Sequence, residues 1–179
     1  MHDPTTLPFP TGMVDNGDTL RVSAKADYAA RAAVELSTAT GAPIKADRIA
    51  EAQGIPAKFL ETILLELKHA GIVRSQRGPD GGYTLARPAE EISLADVIRA
   101  VDGPLANVRG DRPENMEYAG AAVHLTDVWI AVRAALREIL ESTSLADLRD
   151  GTLPGRVTDL AEDPEAWVSL GRIRGARSG

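Results

Sequence analysis

Ile72-Val73-Arg74-Ser75-Gln76-Arg77-Gly78-Pro79-Asp80-Gly81-Gly82-Tyr83-Thr84-Leu85-Ala86 interrupts a chain that otherwise reads largely as helix. Ile72 to Arg77 and Tyr83 to Ala86 read as strands, and Gly78 to Gly82 supply turn residues, so the segment is expected to be an antiparallel hairpin. What precedes it decides what kind of hairpin this is. A short helix from about Ala46 to Gln53 breaks at Gly54. Pro56 then suits a first helical turn, and Leu60, Ile63, Leu64 and Leu67 recur at i, i+3, i+4, i+7 until Gly71. Two helices joined by a glycine-containing turn, then strand, turn and strand, are expected to be a winged helix-turn-helix.

Farther upstream, Ser23 is a plausible N-cap for a helix whose stripe of Ala26, Ala29, Ala30, Ala33, Val34 and Leu36 stops near Gly41. Its small residues call for close packing. Downstream, Ser93 with Asp96 three residues on forms a capping pattern, and Ile92 can staple onto Val97; this fourth helix stops at Asp102-Gly103-Pro104. A longer helix is expected from about Glu117 to Glu141, where Leu125, Val128, Trp129, Val132, Leu136, Ile139 and Leu140 approximate a heptad seam for a partner copy. Ser144 with Asp147 caps one more short turn, and a last helix is expected at Asp163 to Val168. The fold class is therefore mainly α with a small β-hairpin wing. Its expected parts are a disordered extension (1–19), a winged helix-turn-helix domain (20–103), a polar loop (104–116), a dimerisation helix with a short following helix (117–148) and a C-terminal tail (149–179).

The 179 residues, 44% hydrophobic, suffice for one domain with a core plus an arm, and not for two enzyme domains. With 0 Cys there is no disulfide, thiol nucleophile or cysteine-ligated metal centre. No apolar run is long enough to span a bilayer and the N-terminus lacks a signal pattern, so a cytoplasmic location without membrane contact is expected. The net charge of -6 is unevenly spread: Arg21 to Pro88 hold ten Lys+Arg against seven Asp+Glu, and the remainder ten against 19. A mildly basic front joined to an acidic rear fits a nucleic-acid-facing module with a regulatory partner region.

The third helix sets Lys58, Glu61, Thr62 and Leu65 opposite its apolar stripe. In a helix-turn-helix that face enters the major groove, where Thr62 can meet a base edge or thymine methyl, Glu61 can accept from cytosine N4 and Lys58 suits phosphate or guanine. A solvated face on a core helix is the alternative. Arg77 stands at the shoulder of the wing turn (Gly78, Pro79, Asp80, Gly81, Gly82, Tyr83), whose missing side chains allow close backbone approach to a minor groove or to phosphates. An ordinary hairpin that needs its glycines remains the plainer reading. The turn lacks the Lys-Ser/Thr ending and following helix of a nucleotide-phosphate loop, and no nucleophile, triad or metal motif marks an enzyme. His69 is a C-terminal helix charge or a phosphate contact.

These residues resemble the winged helix-turn-helix regulators that include the iron-sulfur regulator IscR, the nitric-oxide sensor NsrR and the cysteine-metabolism repressor CymR. The likeness runs through Arg21-Val22-Ser23 with Tyr28-Ala29, Ile49 to Ile55, Phe59-Leu60-Glu61, Val73 to Leu85, Ile92 to Ile98 and Ser144 to Leu148. It implies a homodimer on an operator in double-stranded DNA, the third helix and its Phe59 in the major groove, the wing in the adjacent minor groove, and the long helix as dimer contact. It places Glu61 and Arg77 at the DNA. Leu20-Arg21-Val22-Ser23 stands where relatives begin Met-Arg-Leu-Ser, so residues 1–19 are expected to precede the true start.

Cluster-binding members carry three cysteines between the fourth and long helices, where this chain reads Val108-Arg109-Gly110-Asp111-Arg112-Pro113-Glu114-Asn115-Met116-Glu117. Asp111, Glu114, Glu117 and His124 are oxygen and nitrogen donors, yet carboxylates on a polar loop are mostly solvated, so neither a metal nor a cofactor is assigned. A dimeric regulator is expected, a repressor without a cluster, controlled by a small molecule between the DNA-binding domain and the dimer helix or by a protein partner. Trp129 and Tyr118 are candidates to line such a pocket, though core of the dimer contact is the preferred reading. The alternative is a winged-helix protein-interaction module that no longer binds DNA.

Overall fold

The computed structural model describes residues 22–168. Helix α1 (Ala24–Ser37) is the hub. Ser23 Oγ accepts from the Ala26 N–H at 2.9 Å and starts it. Its Ala26, Ala29, Ala32 and Ala33 are fully buried, because their small side chains let other helices approach closely on several sides. Those neighbours are α2 (Ala46–Gln53), α3 (Ala57–His69), α4 (Leu94–Asp102) and α6 (Leu145–Asp150). Gly54 turns α2 into α3 in the left-handed conformation at φ +61°. The expected stripe of Leu60, Ile63, Leu64 and Leu67 is fully buried against this hub.

Strands β1 (Val73–Gln76) and β2 (Gly82–Leu85) pair antiparallel, with Val73 opposite Leu85 and Gln76 opposite Gly82. The hairpin is the expected wing; Gly82 belongs to its returning strand and not to the turn. Together the described residues are mostly helical with one two-stranded hairpin, and none of their helices is long and apolar enough to cross a membrane.

After α4 the chain leaves the hub through a 3₁₀ turn (Pro113–Asn115), a second (Gly120–Ala122) and α5 (Leu125–Ser142), and returns in α6. The long helix thus begins at Leu125, later than the expected Glu117. Gly120 takes φ +61°, which breaks a continuous helix there. The same four residues, Ser-Leu-Ala-Asp, open both α4 (Ser93 to Asp96) and α6 (Ser144 to Asp147), each with a complete capping box. The two starts are joined to each other: Leu94 N–H donates to Thr143 O at 2.8 Å and Leu145 N–H to Ile92 O at 2.9 Å. Leu145 is fully buried beside Ile92 and Val97 in the core that holds α1 and α3, and the Arg149 guanidinium donates to Ser37 O at 3.2 Å. The core around α1 and α3 therefore includes residues far beyond position 103.

Within the segment expected as a C-terminal tail, Pro154 precedes and starts α7 (Gly155–Glu162), since proline without its N–H is tolerated at a helix start. The helix expected at Asp163 to Val168 is a single 3₁₀ turn, Pro164–Trp167. The expected extension at residues 1–19 lies outside the described residues.

If α6 completes the core, Leu145→Ala should destabilise the whole helical body around α1 by about 2–5 kcal/mol, as deletion of a buried leucine does. Urea unfolding followed by circular dichroism measures this; a loss under about 0.5 kcal/mol would show that α6 is an ornament.

Candidate nucleic-acid interface

The face opposite the buried stripe of α3 presents Lys58, Phe59, Glu61, Thr62 and Leu65, all exposed. Thr62 Oγ1 makes only a long bond to Lys58 O at 3.4 Å, so its hydroxyl can turn outward at little cost. Phe59, 59% exposed, leans on Tyr28 of α1 with ring centroids 6.4 Å apart, and the Arg31 guanidinium covers the Tyr28 ring at 5.1 Å. Behind this face α1 and α3 are braced by Lys25 and Glu66 at 3.1 Å. Arg31 also donates to Gln53 O at the α2–α3 turn, and Gln53 to Glu35 at 2.7 Å. The reading helix is thus fixed to the hub at both ends.

The wing residues divide into two groups. Arg77, Gly78, Pro79 and Asp80 are exposed at the tip, and Gly81 N–H donates to Gly78 O at 2.9 Å to close the turn. Gly81, Gly82 and Tyr83 face inward instead. Gly81 is buried, with the Gln76 and Arg77 backbone where a side chain would be. A Cβ on Gly82 would lie 2.6 Å from Ile44 O. Tyr83 exchanges two backbone hydrogen bonds with Ile44, at 2.9 and 2.8 Å. Those contacts hold the wing to the segment just before α2 and set Lys45 of that segment in one shallow hollow with Ser75, Gln76 and Arg77.

Charge separates this face from the rest of the molecule. Among the described residues, Lys25, Arg31, Arg87, Arg99, Arg133, Arg137, Arg149 and Arg156 each lie within ion-pair distance of a carboxylate. Lys45, Arg48, Lys58, Lys68, Arg74, Arg77, Arg109 and Arg112 do not. Six of these eight belong to the start of α2, α3 or the wing, where a cation without an internal carboxylate keeps its charge for phosphates; Arg109 and Arg112 lie in the loop after α4. Sequence reading passed over Lys45, Arg48 and Arg74. The signal that finds them is the missing carboxylate partner, which needs coordinates. Glu61 is the acidic residue set among the reading positions, suited to a cytosine amino group.

The seven seam residues of α5 are not equivalent. Trp129, Val132, Leu136 and Leu140 line a cleft shared with α1, α4 and the loop after α4. Leu125 and Val128 are 37% and 50% exposed, and Ile139 is half-buried. No residue of α5 is fully buried.

Two donors of the loop between α4 and α5, Asp111 and Glu114, are engaged within the molecule. Asp111 Oδ1 already accepts from Asn115 at 2.9 Å and the Arg112 N–H at 2.7 Å, which hold its carboxyl below the usual range. Glu114, lowered by its own backbone N–H and by Arg133, is paired with that arginine. With 0 Cys in the chain and no group of three or more His, Asp or Glu placed around one point among the described residues, these residues do not fit an iron-sulfur cluster.

Comparison with known proteins places this geometry. Residues 22–151 match the family model Rrf2, described as "Iron-dependent Transcriptional regulator". An HTH-type transcriptional regulator of Mycobacterium tuberculosis, Rv1287, is 53% identical over 151 residues, 84% of this chain and 94% of that one. The structure of CymR, the global cysteine regulator of Bacillus subtilis, superposes with a TM-score of 0.64 at 32% identity, over 74% of this chain and 98% of that one. IscR of T. potens does so with a TM-score of 0.59 at 32% identity, over 84% and 93%.

Because backbone fills the space beside Gly82, Gly82→Ala should push the wing off Ile44. The expected result is a stability loss of about 1–3 kcal/mol and weaker DNA binding, read by thermal melting and by gel shift. Unchanged values in both would show the wing anchor to be misplaced.

Proposed function

We propose, from the premise that the chain belongs to the Rrf2 family of transcriptional regulators, that it is a cluster-free, homodimeric, operator-specific repressor acting in the cytoplasm. The family and its relatives are regulators and not enzymes, and the fold is that of winged-helix DNA-binding proteins. The observation that carries the finer reading is that six of the eight described Lys and Arg side chains without a carboxylate partner gather on α2, α3 and the wing. In the proposal α3 enters the major groove with Lys58, Phe59, Glu61 and Thr62, Arg77 and the wing tip reach the neighbouring minor groove, and Lys45 and Arg48 grip the phosphates between. Gly81, Gly82 and Tyr83 serve by holding the wing.

The dimer contact is assigned to the open flank of α5, with Leu125 and Val128 at its centre. Two copies side by side then present two reading helices to the two halves of a palindromic operator. Control comes from a small molecule between the DNA-binding body and α5, or from a protein partner.

Phe59 and Leu65, 59% and 52% exposed on the reading face, support a second reading, a protein-interaction module, because large apolar side chains are as suited to a protein partner as to thymine methyls.

A salt series of binding to DNA from upstream of its own gene separates the two. The regulator reading expects steep salt dependence, a log–log slope lowered by about 1 in Arg77→Ala, and a loss of about 1 kcal/mol confined to particular base pairs in Thr62→Ala. Failure to bind any upstream fragment at low salt favours the interaction module.

Val128→Glu touches no internal core. It should give a monomer by light scattering, weaken operator binding by about 100-fold or more and lower the melting temperature only as far as loss of the partner copy does. A variant that stays dimeric would move the interface off α5.

A further inference from the structure

A cleft of about 650 Å3 opens between the start of α1, the end of α4, residues 103–109 and the inner side of α5. That is within the roughly 300–1,000 Å3 of small-molecule sites. Its wall is mostly apolar, with Val22, Ala26, Ile98, Leu105, Trp129 and Leu136 as main contributors. The Trp129 indole N–H donates to Tyr118 Oη at 3.1 Å, which satisfies the polar end of that side chain and leaves ring surface to the cleft.

Two charged residues stand at the rim of the cleft, Asp102 and Arg109, both exposed. Asp102 is already answered: Ser23 Oγ donates to it at 2.5 Å, beside the positive end of α1. Arg109 is not. It has no carboxylate within ion-pair distance among the described residues. The hydrogen bond its side chain makes is to Met116 Sδ at 3.7 Å, a weak acceptor. The backbone under it is also special. Ala106 and Arg109, at φ +53° and +52°, are the two non-glycine residues with positive φ among the described residues, and both line this cleft. Arg109 and Gly110 form the tip of a two-residue hairpin closed by Val108 and Asp111 at 2.8 and 3.1 Å. Such a tip favours asparagine or glycine. An arginine is held there against its backbone preference, and strain of this sort gathers at ligand clamps.

We propose that this cleft binds a small amphipathic organic anion, its apolar body against Trp129 and Leu136 and its single carboxylate on the Arg109 guanidinium. Charge complementarity selects this occupant, since the uncompensated group at the rim is a planar cation that matches a carboxylate through two parallel N–H donors. The proposal deepens the effector-control reading and rests on it for the consequence: an occupant touches α1 and α4 on one side and α5 on the other, so it shifts the reading helices relative to the dimer contact.

The test uses full-length protein carrying Trp167→Phe, so that Trp129 alone fluoresces, titrated with decanoate, decylamine and decanol and checked by calorimetry. Decanoate should bind at least tenfold more tightly than either analogue, and Arg109→Ala should remove that preference while decanol binding stays. Arg109→Gly, which relieves the turn, should raise the melting temperature and also remove the preference, separating a ligand role from a structural one. Equal binding of decanoate and decylamine, a preference that survives Arg109→Ala, or no binding at all would overturn the proposal. So would binding to the Val128→Glu monomer alone, which would make a second copy the occupant. Operator binding without probe, measured on the same samples, reports separately on the DNA-binding reading.

Discussion

Two backbone hydrogen bonds, Leu94 to Thr143 and Ile92 to Leu145, hold the starts of α4 and α6 side by side. The chain between them is a closed excursion: α4 runs out along the hub, the loop crosses, and α5 comes back to the point of departure. Both starts are capped by the same Ser-Leu-Ala-Asp run, so the polar groups a helix end leaves open are satisfied on each side of the joint. Leu145 and Ile92 then bury together beneath it. With its return fixed in this way, α5 is tethered to the DNA-binding body at its C-terminal end. Its other contacts to the body are lighter, among them Arg99 to Glu141 of α5. A helix held at one end with a half-open apolar stripe is suited to pass a change at its partner face back to the body.

The wing depends on a similar economy. A two-stranded hairpin by itself is marginal in water, and this one gains a third neighbour in Ile44. That contact also brings Lys45 to the wing, so the bonds that stabilise the hairpin assemble the basic hollow. The six cations of α2, α3 and the wing stand apart because the described basic residues of the hub and of helices α4, α5, α6 and α7 are paired within the molecule with Glu66, Asp27, Asp96, Glu114, Glu138, Glu141, Glu90 and Asp150. An overall charge of -6 is therefore no obstacle to DNA: much of the acid is paired within the molecule.

The loop between α4 and α5 shows what stands in place of the cysteines of cluster-binding relatives. Glu114 to Arg133, Thr126 Oγ1 to Met116 O at 2.9 Å, and Trp129 to Tyr118 tie the loop to α5 by side-chain bonds. Of the carboxylates that sequence reading left as solvated, Glu114 makes one of these ties and Asp111 accepts from Asn115 and the Arg112 N–H within the loop. Their depressed pKa values follow from hydrogen bonds to neighbouring donors.

The sequence by itself determined the local elements and the family. The glycine after α2, the stripe of α3, the capping pairs and the Arg77-to-Tyr83 turn each act over a few residues, through backbone preference and hydrophobic period, so they are legible in one dimension. The zero count of cysteine is as local, and it removed the cluster without coordinates. Tertiary structure decided the rest. That Leu145 completes the core around α1, that Ile44 leaves no room for a side chain at Gly82, that Lys45 joins the wing, and that Trp129 and Leu136 face a cleft while Val128 faces out all depend on which segments meet. Those meetings are set by burial and pairing between residues distant in the chain, and no period or motif along it records them.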